Sequence, residues 1–293
     1  MRPRHREIDE QNYLTFAEKL PYMIVFPNAK INIGLNVVRR RDDGFHDIET
    51  IMFPVPLCDA LEFNIARGRQ TGDTLTISGI EIDSPPEDNL VMRAAATMRA
   101  IYDIPFLNIH LHKVIPPGSG LGGGSSDAAA LINAIDSYFA LEAGREKLCT
   151  IASQLGSDCP FFILNSPALA TGRGERLKPV PLSLKGYYLV IVREDIHIST
   201  AEAYRWVTQQ RGKEEGLTAV TMPPEKWQGR VVNDFESPLF KRHPLLADIK
   251  EELMAAGAIY CSLTGSGSAL YGIFQNRPAT PTRYNLVWEG WPD

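Results

Sequence analysis

The 293-residue sequence predicts an α+β protein built as two domains. Runs such as Ile31-Asn32-Ile33-Gly34-Leu35-Asn36-Val37 and Leu107 to Lys113 alternate apolar and polar residues with the period of a strand. Between such runs, segments such as Leu90 to Ile101 repeat apolar residues at helical spacing. Pro179 to Gly186 then reads as a linker, which divides the chain into residues 21–185 and 186–293 after a polar extension over residues 1–20.

In chain order, the extension mixes Arg2, Arg4, His5 and Arg6 with acids and lacks the apolar core of a signal peptide. A short helix over Leu14 to Leu20 is its other reading. Met23 to Phe26 is apolar. In the next strand Lys30, Asn32, Gly34 and Asn36 share a face, which either meets water or serves a site. Arg39 to Asp43 is a charged turn closed by Gly44, and Phe45 and His46 follow it. A histidine beside a turn is by default a surface residue. Ile51 to Ile65 and Leu75 to Ile82 continue as strands. Asp88 or Asn89 caps a helix whose apolar stripe is Leu90, Val91, Ala94, Ala95, Met98 and Ile101.

The strand ending at Lys113 runs into Pro116-Pro117-Gly118-Ser119-Gly120-Leu121-Gly122-Gly123-Gly124-Ser125-Ser126-Asp127, and an Ala-rich helix follows. A glycine loop that opens a helix suits an anion. Glycines take positive φ and carry no Cβ, so the backbone can wrap a ligand closely. The first N–H groups of the helix lack internal partners, and with the helix dipole they favour phosphate. Ser125 and Ser126 either cap the helix or donate to a phosphate oxygen. No lysine stands where a Walker A loop needs one, and Asp136 lies too near the loop for the dinucleotide fingerprint.

Lys147 to Leu155 forms a further helix, stopped by Gly156. Asp158, just before Pro160-Phe161-Phe162, is on composition alone a turn cap. Ala170 to Glu175 is a glycine-bearing turn, and Tyr187 to Val192 is a strand. Ser199 or Thr200 caps a helix that carries Tyr204, and a core position explains that tyrosine as well as a site does. Gly212 to Gln228 is a polar insert, and Leu245 to Ala256 is a helix ended by Gly257. Strands at Ile259 to Leu263 and Ala269 to Phe274 flank Thr264-Gly265-Ser266-Gly267-Ser268, whose glycines a tight hairpin explains. Pro278 to Asp293 holds Trp288 and Trp291 but no motif.

Hydrophobic residues make up 44% and charged residues 22%, as in an ordinary globular protein. A net charge of −5 argues against a nucleic-acid binder and gives no reason to expect membrane attraction. No apolar run approaches the roughly 20 residues of a membrane span. Cys58, Cys149, Cys159 and Cys261 are scattered, which fits reduced thiols in the cytoplasm and no metal site.

The Gly-Leu-Gly-Gly-Gly-Ser-Ser-Asp-Ala-Ala loop resembles the ATP loop of the GHMP kinases. Its form is closest to the branch that acts on a cytidine diphosphate-linked methylerythritol in the non-mevalonate isoprenoid pathway. Pro27-x-Ala29-Lys30-Ile31-Asn32, Gly44-Phe45-His46, Gly156-Ser157-Asp158-Cys159-Pro160-Phe161-Phe162 and Thr264-Gly265-Ser266-Gly267 follow in the family's order, over roughly residues 24–274. The resemblance implies a ribosomal-protein-S5-like ATP domain followed by a ferredoxin-like α/β domain. It also implies ATP and Mg²⁺ as cofactors, a dissolved small-molecule substrate and a monomer or homodimer.

By the same resemblance, Asp158 and Lys30 are catalytic. Asn89 and residues 116–126 bind ATP, including Leu121. Asn32, Phe45, His46, Thr200, Tyr204, Thr264, Gly265, Ser266 and Gly267 bind substrate, with Phe45 and Tyr204 sandwiching the base. Asn233-Asp234-Phe235-Glu236 matches a family segment that is structural. Relatives carry an aliphatic residue at Cys159 and one more helix after the last strand, so this C-terminal end looks short or divergent. Another GHMP small-molecule kinase, or a catalytically silent nucleotide-binding homologue, is the alternative.

Overall fold

The computed structural model describes residues 22–68, 70–82, 85–207, 221–279 and 283–292. The polar extension, with the helix weighed for Leu14 to Leu20, and residues 212–220 of the polar insert lie outside them.

The first of three sheets contains β1 (Met23–Val25), β4 (Ala60–Ile65), β6 (Leu107–Lys113) and β5 (Thr74–Gly79), in that spatial order. The β5–β6 pair is parallel and the others are antiparallel. The alternation in β4 and β6 turns Leu61, Phe63, Leu107, Ile109 and Leu111 to one face. That face packs on α1 (Leu90–Tyr102) and α2 (Gly123–Tyr138). Helix α1 starts at Asn89, whose side chain accepts the Val91 N–H, and it buries Val91, Ala94, Ala95 and Met98. Helices α3 (Arg145–Ser153) and α4 (Cys159–Leu164) close the same core.

The second sheet is β2 (Asn28–Arg40), β3 (His46–Cys58), β7 (Ala168–Gly172) and β8 (Arg176–Pro179), antiparallel throughout. Strand β2 does not have the wet face that its alternation allowed, because Lys30, Asn32 and Asn36 are all buried. At Gly34 (φ +65°) the register shifts, and the strand passes from one core to another. Ala29, Ile31 and Ile33 lie in one core and Leu35 and Val37 in the next.

The third sheet, also antiparallel, has the order β10 (Tyr260–Leu263), β11 (Leu270–Phe274), β9 (Tyr188–Val192) and β12 (Leu286–Gly290). Helices α5 (Thr200–Trp206), α6 (Glu236–Arg242) and α7 (Pro244–Ala255) pack on it. The C-terminal stretch without a motif is strand β12, which pairs with β9 through a bulge. The expected domain boundary at residues 185/186 falls between β8 and β9, and packing is continuous across it. Ile31 and Phe53 share a core with Ile191, Tyr260 and Tyr271, and the Tyr271 hydroxyl donates to the Asn32 carbonyl.

Behind the glycine loop lies a buried charge cluster. Lys113 Nζ bonds Asp59 and Asp127, and the second contact is 2.8 Å. Asp59 also accepts the Val114 and Ile115 N–H groups, whereas Asp127 Oδ1 has no partner among the described residues. One ammonium thus serves two buried carboxylates. Burial, with Asp59 beside it, pushes the Asp127 carboxyl up to about 7.

Removing a buried cation strands its partners, so Lys113→Met should lower the unfolding free energy by about 3–5 kcal/mol. Chemical denaturation reads this directly, and a loss under about 1 kcal/mol, the value of a surface pair, contradicts it. The folded chain holds the Asp127 proton between the ordinary value of 3.8 and about 7, where the unfolded chain releases it. Stability should therefore fall as pH rises through that window, and Asp127→Asn should flatten the slope. An unchanged slope in that variant contradicts the assignment.

Candidate active site

The chain leaves β6 at Lys113 and enters α2 at Gly123, so residues 114–122 form the loop between them. Gly118, Gly120 and Gly122 have φ of +63°, +82° and +77°. At Gly120 a Cβ would lie 2.1 Å from the Thr264 carbonyl oxygen. At Gly122 it would lie 2.9 Å from Phe162 Cζ and 3.1 Å from Lys30 Cε. Conformation and space both demand glycine at these two positions. Gly122 occupies the N-cap position of α2 and has no side-chain cap, so neither Ser125 nor Ser126 caps the helix. The first helical bond runs from Ser126 N–H to the Gly122 carbonyl, which leaves the N–H groups of Gly123, Gly124 and Ser125 without partners inside the helix. Those donors and the loop fit the phosphates of a nucleotide.

Lys30 projects from β2 under this loop and is only 3% exposed. Its ammonium donates to Asn32 Oδ1 at 2.5 Å and to the Gly120 carbonyl at 2.8 Å, and it lies 3.5 Å from Asp158 Oδ2. Burial pulls the Lys30 ammonium below the usual lysine value, and Asp158 beside it acts in the opposite direction. Asp158 stands at the start of α4, yet its side chain makes no capping bond. It faces Lys30 instead, with its carboxylate 30% exposed. Cys159 is buried as a small apolar residue, and burial pushes its thiol up to about 11.

Thr264, Gly265, Ser266 and Gly267 connect β10 to β11 and abut the first loop. The Ala269 N–H donates to the Ser119 carbonyl, and the Asn32 N–H donates to Thr264 Oγ1. A Cβ on Gly265 (φ +56°) would lie 3.1 Å from the Gly120 Cα. The hairpin alone therefore does not account for these glycines, because two glycine loops meet back to back.

The cleft these elements enclose has a volume of about 1160 Å³. That lies just above the ~300–1,000 Å³ of an ordinary small-molecule pocket. Of the expected site residues, Lys30, Asn32, Phe45, His46, Asp158, Thr200, Tyr204, Gly265, Ser266 and Gly267 line it. So do Pro116, Pro117, Gly118, Ser119, Gly120, Gly122, Gly123, Gly124 and Ser125. Leu121, Ser126 and Thr264 are buried behind the wall, where the Leu121 carbonyl accepts the Lys30 N–H. The Asn89 side chain is used as the α1 cap and does not line the cleft.

The aromatic end differs from the expected sandwich. Tyr204 stacks on His46, with ring centroids 4.6 Å apart and planes at 17°, and it meets Phe235 edge-on. Phe45 is 52% exposed and carries the Arg173 guanidinium 4.7 Å from its ring centroid. Sequence reasoning passed over Phe235 and Arg173 as wall residues. Both stand in segments whose structural reading sufficed, and it holds in part. Asn233 donates to the Leu263 and Gly265 carbonyls, and Asp234 accepts the Val37 N–H. Among the described residues no group of three or more His, Cys, Asp and Glu side chains could hold a metal ion.

Comparison with known proteins agrees with this geometry. Residues 89–166 match the GHMP kinases N terminal domain, and residues 225–281 match the GHMP kinases C terminal model. The chain is 49% identical over 259 residues to a 4-diphosphocytidyl-2-C-methyl-D-erythritol kinase of Porphyromonas gingivalis, covering 87% of this chain and 93% of that one. It is 45% identical to the protein of the same name from Parabacteroides distasonis, covering 92% and 99%. A crystal structure of 4-(cytidine 5'-diphospho)-2C-methyl-D-erythritol kinase superposes with a TM-score of 0.70 at 32% identity, over 86% of this chain and 90% of that one. With its two GHMP segments and this coverage, the chain belongs to the 4-diphosphocytidyl-2-C-methyl-D-erythritol kinase family of the GHMP kinases.

Proposed function

We propose that this chain transfers the γ-phosphoryl group of ATP to the 2-hydroxyl of 4-diphosphocytidyl-2-C-methyl-D-erythritol, a step of the non-mevalonate isoprenoid precursor pathway. The carrying observation is the Lys30–Asp158 pair at 3.5 Å, set in a cleft that has a glycine loop on one wall and an aromatic cluster on another. Phosphoryl transfer needs positioning and charge stabilisation more than covalent chemistry. Asp158 accepts the proton of the attacking hydroxyl. Lys30, 3.5 Å from Asp158, stabilises the oxygen that develops charge. The unpaired N–H groups at the start of α2 hold the phosphates. Mg²⁺ entering with the nucleotide would supply charge neutralisation for the phosphates.

The base of the acceptor lies against Phe45, His46 and Tyr204, where stacking supplies sequence-tolerant affinity and polar edges supply selection. Free cysteines at Cys58, Cys149, Cys159 and Cys261 fit a reducing cytoplasm. Among the described residues no helix is long and apolar enough to cross a membrane. A monomer or homodimer acting on dissolved substrates completes the reading.

ADP release from Mg-ATP, with and without the cytidine-linked acceptor, tests the assignment. Release that depends strongly on the acceptor is expected. Equal release with other GHMP alcohols, or tight ATP binding without release, contradicts it. Asp158→Asn and Lys30→Ala should each lose about 10²–10⁴-fold in kcat, the usual contribution of positioned proton transfer. Near-native turnover in both removes them from the chemistry.

A further inference from the structure

Arg173 stands at the tip of the β7–β8 hairpin, between Gly172 and Gly174. The tip is pinned from within, because the Arg173 N–H donates to Glu175 Oε2 at 2.7 Å and the Glu175 carboxylate lies against Gly172. On one side of Arg173, a Cβ on Gly174 would lie 3.4 Å from Asp158 Oδ1. On the other, its guanidinium covers a face of Phe45 at 4.7 Å from the ring centroid. The hairpin tip thus lies beside the carboxylate at the reacting end, and the Arg173 side chain reaches from it to the exposed ring at the base end.

Two arginines of the neighbouring turn are engaged elsewhere, while Arg40 and Arg205 also line the cleft without a carboxylate partner among the described residues. Arg39 pairs with Asp47, and Arg41 pairs with Asp43 and Asp47. Asp43 feels the Arg173 charge but is held by Arg41. Among the described residues Arg173 pairs with no carboxylate, although it lines the cleft. A guanidinium stacked by its face keeps its N–H edge free, and that edge matches two phosphate oxygens.

We infer that Arg173 binds the diphosphate bridge of the acceptor, and so selects nucleoside diphosphate-linked alcohols over uncharged or monophosphate analogues. The inference rests on the proposed function, since it takes the acceptor to lie from Asp158 to Phe45. An acceptor with its alcohol at Asp158 and its base on Phe45 carries its two phosphates past the hairpin tip, where the Arg173 guanidinium stands. The contact is to ground-state charge remote from the transferred group, so its loss raises KM for the acceptor and spares both kcat and KM for ATP.

Calorimetric titration of the full chain, saturated with a non-hydrolysable ATP analogue, tests this with cytidine 5'-diphosphate and cytidine as probes. The wild-type chain should bind the diphosphate about 10- to 100-fold more tightly than the nucleoside, the range for hydrogen bonds to a charged group. Arg173→Ala should bind the two about equally, and Arg173→Lys should recover part of the difference. Cytidine binding by Arg173→Ala reports that the base end is intact. An unreduced preference for the diphosphate in Arg173→Ala overturns the inference and leaves the base end standing. Binding of neither probe by the wild-type chain overturns the base-end reading and this inference together. In steady-state assays a rise in KM for ATP equal to that for the acceptor would move Arg173 to the nucleotide and also overturn it.

Discussion

A buried ammonium is costly unless every proton it carries finds a partner, and the Lys30 ammonium shapes its surroundings accordingly. Its contacts reach Asn32 on its own strand, the Gly120 carbonyl in the glycine loop and Asp158 at the start of α4. Those three elements are far apart in the chain, and one cation holds them in register. The same side chain excludes a Cβ at Gly122, and the Lys30 N–H binds the Leu121 carbonyl. The shape of the phosphate loop is therefore set from below by Lys30 as much as by its own glycines.

A cation can do this only on a scaffold that does not yield. Strand β2 is covered on both faces, and the core beneath it includes residues of the third sheet. Asn32 meets that half of the chain through its N–H on Thr264 and its carbonyl on Tyr271. The second glycine loop is thereby pressed against the first, with no room for a Cβ between Gly120 and Thr264. Close packing of this kind transmits strain and keeps reacting groups in place. The charged cluster of Lys113, Asp59 and Asp127 braces the loop from the side of the first core.

Much of this arrangement is legible in the sequence, because strands and helices announce themselves by local period. The strand Ile31 to Val37, the helix after the glycine loop and the cap before α1 are all local facts. The glycine loop is legible as a phosphate site for the same reason, since its donors belong to one contiguous segment. Non-local matters are not legible. The alternation of β2 reports two faces but not what covers the second. Asp158 looks like a cap until Lys30, 128 positions earlier, is brought beside it. Ser125 and Ser126 look like caps until Gly122 takes that position. Leu286 to Gly290 has too weak a pattern to read as a strand, and it becomes one because β9 offers an open edge. Arg173 looks like a turn residue, and only the placement of Phe45 shows what its side chain faces.

Lys30, buried, and Asp158, partly open to the cleft, act as one electrostatic unit. A side-chain NMR titration of the Lys30 ammonium, in the wild-type chain and in Asp158→Asn, measures it most directly. Burial should place the Lys30 transition below 10.5 in the wild-type chain. Removing the Asp158 charge should lower it further, because Asp158 opposes the effect of burial. A transition at the ordinary lysine value, unmoved by Asp158→Asn, would contradict the coupling on which this account of the site rests.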